Sequence, residues 1–266
     1  MRAFWGNLFF PPVCVGCREL IQVTDYRREA PYLCADCAAK WERETEEQCG
    51  ICGKPIGQCL CVTDAMRAAH IPLLCKVLYY RHGTRDPIQN RMIYRIKEAP
   101  DRRTVRFFAE QLAPAVREIL AQRGWKPEDC ALVPLPRGRE KRLATGTDQA
   151  QALAKALGES VGIRSVGLIV RAAHENREQK DLSTAERKKN ASSAFRLAEK
   201  RSLPRTAHLL LVDDIVTTGA SMAASAKLLR RAGYSDFVAL AALSDDANRT
   251  TNEKQPVIDL TGNGKR

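Results

Sequence analysis

Hydrophobic positions along this chain follow two rhythms. Short, nearly unbroken apolar runs occur at Cys130 to Pro136, Gly167 to Val170, Leu209 to Val212 and Asp236 to Leu243, with a shorter one at Phe195 to Leu197. A run of that kind suits a strand covered on both faces, so each predicts a strand of a parallel sheet. Elsewhere the apolar residues return every three or four positions. Ile93 and Ile96, then Phe107, Phe108, Leu112, Val116, Ile119 and Leu120, make Ile71 to about Leu120 a helical connecting region broken at Pro100-Asp101. Gln149 to Leu157, ended by Gly158, and Ala220 to Ala232 predict two further helices. Strands alternating with helices give an α/β fold, a parallel sheet flanked by helices.

The polar positions fill in the remainder. Arg91, Arg95, Lys97, Arg102, Arg103 and Arg106 interleave with the connecting stripes and are expected to form a solvated helix face rather than a nucleic-acid groove. Arg171 to Ala194 is long and charged for an α/β loop, which predicts a functional lid or a disordered segment. Residues 244–266 are polar apart from a small apolar island at Val257 to Leu260, and are expected to be a disordered tail after a domain spanning 66–243.

Candidate chemistry concentrates in Leu209-Leu-Leu-Val-Asp-Asp-Ile-Val-Thr-Thr-Gly-Ala-Ser221. Asp213 and Asp214 stand where the buried strand would end, and Thr217-Thr218-Gly219 turns the chain into the next helix. Backbone N–H groups of such a turn and the positive end of the helix hold an anion, the threonine hydroxyls add donors, and Gly219 permits a positive φ. Acids beside a phosphate would repel it on contact. They suit sugar hydroxyls or a Mg²⁺ ion instead, and the predicted ligand is a sugar phosphate. A Walker B strand would need a Gly-x-x-x-x-Gly-Lys-Ser/Thr loop, which the chain lacks.

The stretch resembles the motif by which type I phosphoribosyltransferases bind 5-phosphoribosyl 1-pyrophosphate (PRPP). The resemblance implies that Asp213 and Asp214 take the ribose 2′- and 3′-hydroxyls while Thr217, Thr218, Gly219, Ala220 and Ser221 wrap the 5′-phosphate. A second basic loop, Arg137-Gly-Arg-Glu-Lys-Arg142, follows the strand that ends in Val133-Pro-Leu-Pro136. Placed on the same rim of the sheet, it suits the pyrophosphate group.

Cysteine spacing defines the other part. Of ten cysteines, eight lie in the first 61 residues as Cys14/Cys17, Cys34/Cys37, Cys49/Cys52 and Cys59/Cys61. Close pairs separated by a 16-residue spacer, as between Cys17 and Cys34, are metal knuckles, and residues 1–65 are expected to be a small module held by one or two structural Zn²⁺. Successive sites, Cys14/Cys17/Cys34/Cys37 and Cys49/Cys52/Cys59/Cys61, are the simplest pairing, and a cross-braced pairing stays open. Redox use is the competing idea, but such motifs come singly in a βαβ context. Cys75 and Cys130 read as core residues. Residues 1–64 hold 7 Lys+Arg against 9 Asp+Glu, a net −2, so the rest carries +14 of a total +12. Any nucleic-acid footprint therefore belongs to the larger part. No apolar run approaches the roughly 18 residues of a membrane span. The short apolar segment Phe4 to Phe10 is read as a lead-in that packs on the protein, not a signal peptide.

Taken together, residues 4 to 243 resemble the ComF family, which joins a cysteine-rich zinc module to a phosphoribosyltransferase-like domain. The shared features are the cysteine pairs, Lys97, Val133-Pro-Leu-Pro136, Gly146 with Gln149, and Gln179-x-x-Leu182-Ser183-x-x-x-Arg187-x-x-Asn190. The PRPP loop completes the set. Members usually read Gly-Phe-Asn-Gln where Gly146-Thr-Asp-Gln149 stands, with a basic residue at Thr145, a threonine at Asn176, a histidine at Tyr94 and a tyrosine at Glu98. The resemblance implies a type I phosphoribosyltransferase-like fold in a cytoplasmic protein that binds PRPP with Mg²⁺. It implies a link to DNA uptake in natural transformation, with single-stranded DNA and the competence helicase machinery as partners. Arg137, Arg139 and Arg187 are the candidates for stabilising the departing pyrophosphate. Two other functions stay open: a phosphoribosyltransferase of nucleotide salvage with an unidentified acceptor, and a non-catalytic PRPP or nucleotide sensor.

Overall fold

A four-stranded parallel sheet organises the computed structural model, which describes residues 11–22, 29–98, 101–137, 148–172, 194–199 and 203–245. In chain order the principal elements are α1 (Ala35–Thr45), α2 (Asp64–Ala68), β1 (Leu74–Tyr80), α3 (Ile88–Glu98), α4 (Arg102–Arg123), β2 (Cys130–Pro134), α5 (Gln149–Val161), β3 (Ile169–Arg171), β4 (Phe195–Leu197), β5 (His208–Val216), α6 (Ala220–Arg231) and β6 (Phe237–Asp245). The sheet order is β1-β6-β5-β2, so β5 and β6 lie at its centre. Their alternate residues feed two cores. Leu210 and Val212 pack with α4 and α5 on one face, while Leu209 and Leu211 pack with α6 and Met66 on the other. That two-sided burial is why the strand reads as a continuous apolar run.

Several expectations change. The connecting region is not helical throughout, because Leu74–Tyr80 is a fully buried edge strand pairing with β6. The expected second sheet strand, Gly167 to Val170, is instead the short β3, antiparallel to β4 in a separate two-stranded sheet. Helix α5 runs past Gly158 to Val161. Strand β6 includes Ser244 and Asp245, both buried, where the tail was expected to begin. The expected boundary between residues 65 and 66 falls inside α2, so the chain crosses it within a helix. The lead-in Phe4 to Phe10, the segment Arg139 to Gly146, most of Arg171 to Ala194 including Gln179, Leu182, Ser183, Arg187 and Asn190, and residues 246–266 lie outside the described residues.

The cysteine-rich segment shares a core with the sheet domain. Trp41 of α1 meets Phe107 edge-on, with ring centroids 4.7 Å apart, and Cys14, Val15 and Cys37 join the same buried cluster. The arginines expected on a solvated face do much of the docking. Arg95 donates to the carbonyls of Val15 and Gly16 at 2.9 Å, and Arg103 to those of Ala30 and Pro31. Asp101 caps α4 by accepting from the N–H groups of Arg103 and Thr104, and it also pairs with Arg18 at 2.9 Å. These charges satisfy carbonyls and helix ends that close packing would otherwise leave bare.

Candidate functional site

The C-terminal ends of β1 and β5, together with the turn after β2, border one cleft of about 390 Å³. Parallel strands all end on the same side, which is where open α/β sheets take ligands. Asp213, Asp214, Thr217 and Ser221 line this cleft. Thr218, Gly219 and Ala220 form the turn between them. Thr217, Thr218, Ala220 and Ser221 are exposed, whereas Gly219 is buried. Gly219 takes φ +74° as the N-cap of α6, a conformation that suits glycine and opens the helix start without a capping side chain of its own.

The two acids differ. Burial, then the adjacent Asp214 charge, hold the Asp213 carboxyl well above the usual carboxylate range. Its Oδ1 accepts from the Asp214 N–H at 2.8 Å, and Asp214 Oδ1 accepts from the Ile215 N–H at 2.9 Å. Asp214 Oδ2 is buried with no hydrogen-bond donor, and the Arg137 guanidinium stands 3.8 Å away. A buried carboxylate oxygen facing an open cleft in this state fits a ligand hydroxyl or a hard cation such as Mg²⁺.

Arg137 is held from behind by Asp148. That residue caps α5 through the Gln151 N–H and also accepts from the Arg137 N–H, both at 3.3 Å. The neighbouring Gln149 is buried and donates to Ile96 O at 2.9 Å, fixing the last turn of α3 where Lys97 enters the cleft. Arg137 thus lies beside the acids as expected. Arg139 and Arg187 lie outside the described residues.

Four cleft residues were not assigned to the ligand site in the sequence reading: Tyr80, His82, Arg171 and Phe195. His82 Nε2 lies 2.5 Å from Oδ2 of the buried Asp245. A carboxylate on that side orients the imidazole ring at the cleft. The Tyr94 hydroxyl bond, then burial, push the Tyr80 phenol up to about 12, and Lys97 lies over both rings. Tyr80 and His82 share one signal, the end of β1, visible only once that strand is paired with β6 at Tyr80 and Asp245.

The cysteines fall into two quartets, Cys14/Cys17/Cys34/Cys37 and Cys49/Cys52/Cys59/Cys61, with the sulfurs of each within 4.8 Å of one another. This is the successive pairing. The 3.7 Å between the sulfurs of Cys17 and Cys34 matches the edge of a tetrahedron with Zn–S bonds of about 2.3 Å. Both quartets have the geometry to hold a zinc ion. Gly16 is required by crowding, since a Cβ there would come 2.7 Å from Cys37 Sγ. Burial opposes ionisation of Cys14, but N–H groups of Cys17, Cys34 and Gly16 outweigh it and bring the thiol down to about 7. Cys75 and Cys130 are buried in the core, and burial pushes them up to about 12 and about 11.

The sequence matches the phosphoribosyl transferase domain family over residues 144–263. It is also 31% identical over 133 residues to competence protein F of Haemophilus influenzae, an alignment covering 50% of this chain and 57% of that protein. The chain therefore carries a match to a phosphoribosyl transferase domain and resembles competence protein F over half its length. The matched domain region takes in β5, the turn and α6, while the two cysteine quartets precede it. The chain spans little more than half the length of its relative. No helix among the described residues is long and apolar enough to cross a membrane.

Proposed function

We propose that the cleft binds PRPP with Mg²⁺. The observation that carries this reading is the sequence of parts along one strand end: two acids, one with an unsatisfied buried oxygen, then an exposed Thr-Thr-Gly turn opening a helix. Asp213 and Asp214 take the ribose hydroxyls, Thr217 to Ser221 surround the 5′-phosphate, and Arg137 faces the pyrophosphate. Arg139 and Arg187 follow as further pyrophosphate ligands by resemblance. Bound Mg²⁺ would neutralise charge on the leaving pyrophosphate. In transfer, the bond from C1 to the pyrophosphate oxygen breaks as an acceptor atom bonds to C1, and pyrophosphate leaves with the electron pair.

Thermal unfolding tests the reading. PRPP with Mg²⁺ at about a hundred times its Kd adds about 2.7 kcal/mol to the folded state. A matching rise in Tm for the native chain, lost in the Asp213→Asn/Asp214→Asn double variant, supports it, and no rise in either contradicts it.

The name of the relative and the family resemblance extend the proposal to DNA uptake in competent cells, in a cytoplasmic protein with single-stranded DNA and a competence helicase as partners. The +14 charge beyond residue 64 supports a nucleic-acid partner. A salt-dependent shift with single-stranded DNA is expected, and binding that ignores salt would contradict it. One observation favours a second reading, a phosphoribosyltransferase of salvage. His82, which lines the cleft and is held by the buried Asp245, is positioned for the role of a base toward the acceptor. Pyrophosphate release from PRPP against a panel of free bases and amines separates the two.

A further inference from the structure

The turn after β5 is braced from outside the sheet. Thr63, two residues beyond Cys61, uses one hydroxyl twice: Oγ1 donates to Thr218 O at 2.9 Å and accepts from the Met66 N–H at 3.4 Å, capping α2. Gly219 rests directly against this cap. A Cβ at Gly219 would come 2.2 Å from Thr63 Oγ1 and 2.7 Å from Met66 Cγ. The far end of α2 is tied to the same helix, where Arg230 of α6 donates to His70 O at 2.7 Å and to Ala69 O.

We propose that Thr63 is a positioning residue for the phosphate turn, and that metal in the Cys49/Cys52/Cys59/Cys61 quartet sets how well that turn is formed. This rests on the reading that the turn takes the 5′-phosphate. The peptide bonds among the described residues are trans, and in a trans peptide the carbonyl and the following N–H point opposite ways. By fixing Thr218 O, Thr63 therefore turns the Gly219 N–H away from itself, as an anion cradle requires. The single residue between Cys61 and Thr63 is the buried Val62, so a fixed Cys61 leaves Thr63 little room to move.

The test uses the full chain, with zinc content measured for each variant and PRPP with Mg²⁺ as the calorimetric probe. Thr63→Val, which keeps the shape and removes the hydroxyl, is expected to weaken PRPP about tenfold with zinc content unchanged. Thr63→Ser is expected to stay within about twofold of the native chain. Cys52→Ser is expected to lose one zinc and to weaken PRPP at least as far as Thr63→Val. Native-like affinity in Thr63→Val, or in Cys52→Ser with that zinc gone, overturns the proposal. If the native chain itself gives no PRPP heat, the ligand reading fails separately. Amide exchange then decides the brace: faster exchange at Gly219 to Ser221 in Thr63→Val upholds it, and unchanged exchange sinks it.

Discussion

The ammonium of Lys76, on a residue only 1% exposed, donates to both the carbonyl oxygen and the sulfur of Cys59, at 3.0 and 3.2 Å. A buried cation needs such partners. Four thiolates around one Zn²⁺ would carry a net −2, so Lys76 would also offset charge at an occupied second quartet, and it ties Cys59 to β1.

Replacing that lysine with methionine removes the charge and keeps most of the volume. Lys76→Met is expected to weaken zinc at the second quartet by about 10- to 100-fold, the range for lost outer partners of a metal site. Competition with a coloured chelator checks it. Release of both zincs at the native chelator concentration would contradict the role.

Asp213 sets a pH dependence. Its raised pKa means that the protonated form favours folding, and this contribution is lost as pH rises through the raised value. Ligand binding runs the other way, since Mg²⁺ and sugar hydroxyls prefer the carboxylate. PRPP affinity is expected to climb with pH above the usual carboxylate range. Asp213→Asn is expected to flatten the climb, to raise Tm at neutral pH, and to lose about 10- to 100-fold in affinity. That loss corresponds to about 1.5–3 kcal/mol for a hydrogen bond to a charged group. Calorimetry at several pH values reads all three.

Gly219→Ala faces two costs. The left-handed backbone at φ +74° costs about 1–2 kcal/mol for a residue with a Cβ, and Thr63 and Met66 must also shift. A Tm fall of about 2–8 °C is expected, at 2–4 °C per kcal/mol for a chain of this size. PRPP affinity is expected to fall with it. An unchanged Tm would show that the turn relaxes freely.

The shared core predicts cooperative unfolding. Trp41 packs against Phe107 and Phe108, and Cys14 and Cys37 lie in the cluster that covers one face of the sheet. Stripping zinc is therefore expected to lower the Tm of the whole chain in a single calorimetric transition. A separate low-temperature transition for the cysteine segment, with the main one unmoved, would contradict this.

How much of this was legible in sequence depended on whether a residue's partner was local. Leu209 to Val212 announced a central strand because both faces are covered, and the cysteine spacing announced both quartets. Strand β1 was hidden by Lys76, whose polarity is explained by Cys59, 17 residues earlier in the chain. Arg95 and Arg103 looked solvated because their acceptors are backbone carbonyls about 70 to 80 positions away. His82 gave no signal for the same reason, since Asp245 reaches it only through the pairing of β1 with β6.

The most direct measurement is calorimetric titration of the zinc-loaded chain with PRPP and Mg²⁺, beside ribose 5-phosphate and pyrophosphate alone. The expected result is a single site that binds PRPP more tightly than either fragment, with PRPP heat lost in the Asp213→Asn/Asp214→Asn double variant. Absence of PRPP heat in the native chain, or equal heat in the double variant, would contradict the assignment of this cleft.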